Sequence, residues 1–172
     1  MSDATKTLII RIITHGVVLL VLYVLQTMVF SRLRLWNVAP LILPLAVIGV
    51  ALFEGPSWGG GFGIAAGVLL DNAFSDNTVL FTIALAALGL GVGLASEYLL
   101  SRGFPSYLLC SAAALLLLAF LQMFSLLVFH GESPLALIRV GALQSLYSML
   151  FVLPIYYLGR RLGRGNQKGA TR

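Results

Sequence analysis

The chain has 172 residues, 59% of them hydrophobic and only 10% charged, with a net charge of +5 and a mean hydropathy of +0.99. A soluble domain carries roughly 25% charged residues, so the polar surface here is too small to cover a water-facing globule. The lone Cys110 excludes a disulfide scaffold or a cysteine zinc site within one chain, and long apolar blocks without alternation argue for helices over a porin-type barrel.

Six apolar blocks predict an all-α, polytopic membrane bundle with short loops, forming a single membrane domain over 1–172. The first covers about 12–30, after Lys6 and Arg11. It is long for a signal peptide and lacks a small-residue cleavage site, so it reads as a retained anchor. The next blocks cover about 38–53, 58–74, 79–96, 107–129 and 135–158. Each is near the ~20 residues that cross ~30 Å of hydrocarbon. The second and third are the shortest, and a re-entrant pair is the alternative for them.

Turn chemistry separates the blocks. Glu54-Gly55-Pro56-Ser57 reads as a tight hairpin, and Asn72 to Asn77 and Ser101 to Ser106 as loops. In Gly131-Glu132-Ser133-Pro134, Ser133 can cap the last helix and Pro134 can occupy its first turn. No loop leaves room for a separate soluble catalytic domain. Pro40 and Pro44 in the second block and Pro154 in the sixth are expected to kink helices.

Orientation follows from the basic residues. With six crossings and the N terminus inside, Lys6, Arg11, Arg102, Arg160, Arg161, Arg164, Lys168 and Arg172 fall inside, and Arg32, Arg34 and Arg139 outside. That asymmetry places both ends in the cytoplasm. Arg160, Arg161, Arg164 and Lys168 belong to a basic tail over 159–172, suited to anionic lipid headgroups. No aromatic residues interleave with them, so nucleic-acid binding is disfavoured. Trp36, Tyr98, Tyr107, Tyr156 and Tyr157 lie near block ends, where interfacial aromatics gather.

The third block is the most informative. Gly59, Gly63 and Gly67 recur at four-residue spacing, and Asp71 takes the next step. On a helix these make one slanting stripe, a groove that admits another backbone closely. The stripe can pack inside this chain or receive a partner. Gly89 and Gly93, leading to Glu97, repeat the theme in the fourth block, so the two blocks are candidates to pack together.

A carboxylate in hydrocarbon is costly and seeks protein, water or a counter-charge. Asp71 and Arg139 each lie ~7 Å from a helix end on the same predicted side. An Asp71–Arg139 ion pair is one expectation; separate snorkelling is the other. His15 and His130 are read as isolated interfacial residues, and Gln26 and Gln122 as interhelical hydrogen bonders.

No zinc-protease, nucleophile-elbow or phosphate-loop motif is present. His130 and Ser133, three apart in a loop, make a weak nucleophile pair. No enzyme activity, cofactor or metal site is expected.

The stretch from Pro40 through Gly93 resembles the rod shape-determining protein MreD family. The resemblance rests on Pro40 early in the second block, on Gly59-Gly60-Gly61-Phe62-Gly63 and Gly67-Val68-Leu69-Leu70-Asp71 in the third, and on Gly89 through Gly93 in the fourth. Length, short loops and the basic tail also fit. The resemblance implies a non-enzymatic inner-membrane subunit of the bacterial cell-elongation complex. Its implied partners are a bitopic MreC-like protein, the polymerase RodA with its transpeptidase and, indirectly, MreB. The alternative is a substrate-binding subunit of an energy-coupling-factor-type vitamin transporter, with Asp71, Asn72, Asp76 and Arg139 as its best pocket residues.

Overall fold

The computed structural model describes residues 3–30, 41–74, 79–98, 103–130 and 134–167, with side chains described for all of these except 3–4, 7, 29–30, 74, 123–130, 134–140 and 162–167. The described residues are helical, without strands. The order is α1 (Asp3–Val24), running into a π-helical turn at Leu25–Phe30, then α2 (Leu43–Glu54), α3 (Pro56–Phe74), α4 (Leu80–Tyr98), α5 (Phe104–His130), α6 (Pro134–Met149) and α7 (Val152–Gln167). Among the described residues, three segments are long and apolar enough to cross a membrane: Leu8–Met28, Leu80–Tyr98 and Phe104–Gln122. Gly141–Met149 and Val152–Arg161, bent by 52°, supply a fourth if the bent pair is one crossing.

The core is organised around α2. Its sequence is apolar on every face up to Phe53, so it has no side to offer water. Every residue from Leu41 to Leu52 is buried, packed by α1, α3, α4, α5 and α7. At ~1.5 Å per residue its 12 residues reach only about 18 Å. Pro44 does not kink this helix. It sits in the first turn, where a missing N–H is harmless, while Pro40 lies outside the described residues. At the other end Gly55 adopts φ +93° and its N–H donates to the Ala51 carbonyl at 3.1 Å. Pro56 then opens α3, so a single residue reverses the chain between two helices.

Between lipid-solvated helices there is little hydrophobic gain on contact, so packing rests on van der Waals fit and hydrogen bonds. The closest pairing is α3 against α4, antiparallel along their length. Gly93 lies on the Pro56 backbone, Gly89 on Gly59, Gly63 on the Leu85 carbonyl and Gly67 on Thr82. A Cβ on any of these glycines would collide with backbone, which cannot rotate away. A looser crossing joins α2 to α7, where a Cβ on Gly159 would stand 3.4 Å from the Gly49 Cα.

The sixth block is broken. Pro154 is the third residue of α7 and has no N–H for the Leu150 carbonyl. The chain tightens instead: Leu150 N–H donates to Tyr147 at 3.3 Å and Phe151 N–H to Ser148 at 3.0 Å. The expected kink is therefore a full break one turn before the proline.

Candidate functional site

Asp71 ends the glycine stripe beside the first turn of α4. Phe81 N–H donates to its Oδ1 at 3.0 Å, Thr82 N–H to its Oδ2 at 2.9 Å, and Thr82 Oγ1 to Oδ2 at 2.6 Å. A carboxylate at a helix N-terminus satisfies free N–H groups and complements the dipole. The stripe Gly59, Gly63, Gly67, Asp71 is thus one continuous contact with α4, and Gly89 and Gly93 are its other half. The groove considered for a partner is filled by this chain's own helix. The Arg139 side chain lies outside the described residues, so Asp71–Arg139 contact does too; the oxygens of Asp71 are engaged by α4.

The buried start of α2 is capped from two other helices. Ile42 and Leu43 N–H groups both donate to Gln26 Oε1 at 3.0 Å. Leu41 N–H donates to Ser148 Oγ at 2.9 Å, and that hydroxyl donates to the Gln144 carbonyl at 2.7 Å. Within the π-helical turn that carries Gln26, the Thr27 hydroxyl donates back to the Tyr23 carbonyl at 2.9 Å. Away from water these amides need protein acceptors, and side chains supply them. Tyr107, fully buried, donates its hydroxyl to the Leu45 carbonyl at 3.0 Å. The expectation of interfacial aromatics is therefore corrected for Tyr107 and Tyr156. Both are buried in a cluster with Phe53 and Phe104, ring centroids 5.2–5.7 Å apart around Tyr156. Tyr98 and Tyr157 remain exposed.

The opposite end of α2 holds a charged cluster. Glu54 Oε2 accepts from Arg11 Nη2 at 2.9 Å and Nε at 3.3 Å, and lies 3.0 Å from His15 Nε2. The His15 Nδ1 lies 2.9 Å from the Arg11 carbonyl oxygen. Each ring nitrogen thus lies within 3.0 Å of an oxygen. Trp58 packs at 5.2 Å from the His15 ring, and the Arg11 guanidinium lies over it at 4.3 Å. Glu54 exposes 2% of its side chain, His15 6% and Arg11 26%. His15 is thus not an isolated interfacial residue, and Glu54, at the hairpin, is buried against it. One signal was available: Arg11 and His15 are four apart on one face of α1, at the end predicted to share a side with Glu54.

Arg160 and Arg161 sit on α7, half-buried and exposed respectively; the Arg164 side chain and Lys168 lie outside the described residues. The basic stretch is thus largely a helical extension, not a tail that begins at 159. Its inner face, Val152, Ile155, Tyr156 and Gly159, packs inward. No group of three or more potential metal ligands forms among the described residues.

Among the described residues, fold and site together define a helical bundle with three to four helices of membrane-spanning length, held by glycine contacts and buried polar caps. Compared with protein-family models, curated proteins and solved structures, the chain matches none.

Proposed function

We propose that this chain is a non-enzymatic inner-membrane subunit of the bacterial cell-elongation complex, acting as a helical scaffold for partner membrane proteins. The observation that carries the reading is the stripe Gly59, Gly63, Gly67 and Asp71. These are the residues on which the resemblance to MreD rests, and they are committed to holding α3 on α4. A seam of this kind holds the shape of a bundle and offers no reacting group. Helix α3 runs antiparallel along α4 and so traverses the same layer, and α2 lies enclosed beside them. Counting both gives six crossings, with both termini cytoplasmic by the basic-residue asymmetry.

Because α4 fills the glycine groove, an MreC-like bitopic partner meets the outer faces of the bundle. RodA with its transpeptidase, and MreB indirectly, complete the assembly in this reading. The basic face of α7 lies at the cytoplasmic membrane surface. The vitamin-transporter reading loses its leading pocket residue, since Asp71 is engaged by the first turn of α4.

Depletion in a rod-shaped native host tests the proposal. Rounding of the cells, with co-purification of an MreC-like protein by the full-length chain, is the expected result. Unchanged cell shape together with a new vitamin requirement would overturn it.

A further inference from the structure

We draw no further inference here: the strongest candidate, the apolar cleft between α1 and α3 lined by Gly16 and Gly61, carries none, since the Arg11 guanidinium at its end is already paired with Glu54 and nothing in the structure shows what covers it.

Discussion

Helices α3 and α4 are joined in a different way from α1. The α3–α4 seam is backbone on backbone, glycine by glycine, with Asp71 closing one end. Helix α1 lies mostly in the open, with only 11% of its apolar window buried, and is attached by side chains near its two ends. At one end Arg11 and His15 meet Glu54; at the other Gln26 holds the start of α2. The difference teaches how a chain with little hydrophobic gain between helices sets its contacts. Small residues give dispersion along a whole helix, because many weak contacts form at close range. Polar pairs give attachment at points, because a buried amide or charge has no other partner.

The comparison is broken most severely at the seam. Gly63→Leu drives a side chain into the Leu85 carbonyl and should cost roughly 4 kcal/mol, above the ~1–3 usual for overpacking, because backbone cannot yield. Reversible unfolding in bicelles measures it; a loss below 1 kcal/mol would mean the helices are not in contact. Glu54→Leu removes the buried carboxylate that ties Arg11 and His15 of α1 to the end of α2. We expect a loss of about 3 kcal/mol, smaller than at the seam because Arg11 can reach the membrane surface. In that variant, cysteine accessibility along α1 should rise near Ile12 and stay unchanged near Tyr23.

Gln26→Leu strands two buried N–H groups of α2 and should cost about 2 kcal/mol by the same unfolding measurement. Amide hydrogen exchange at Ile42 and Leu43 should accelerate, while the α3–α4 amides hold. The smallest effect sharpens the contrast. Gly91→Ala, on the open face of α4, should be neutral or stabilising by up to ~1 kcal/mol, since Ala is the better helix former. The same change at Gly89, two residues away but against Gly59, should be clearly destabilising.

Much of this was legible residue by residue. Gly59, Gly63 and Gly67 marked a helix face, and Gly89 with Gly93 marked its mate, because in apolar helices small residues are the visible signal of close approach. Gln26 was recognisable as an interhelical donor or acceptor. Its target was not, since it bonds backbone 16 and 17 residues on, at a helix start misplaced by Pro40 and Pro44. His15 was misread for a related reason: its partnership with Glu54 spans separate helices, and neither residue shows a local motif.

The amino-acid order by itself determined that these segments are apolar helices, where most of them turn, and that α3 and α4 carry matched glycine faces. Hydropathy and proline–glycine punctuation are local properties, so they survive without a fold. Only the tertiary structure decided which side of each helix faces inward. A helix apolar all round, such as α2, carries no moment to fix its rotation. That rotation placed Glu54 under Arg11 and His15, Gln26 over Ile42 and Leu43, and left Gly16 and Gly61 facing an open cleft.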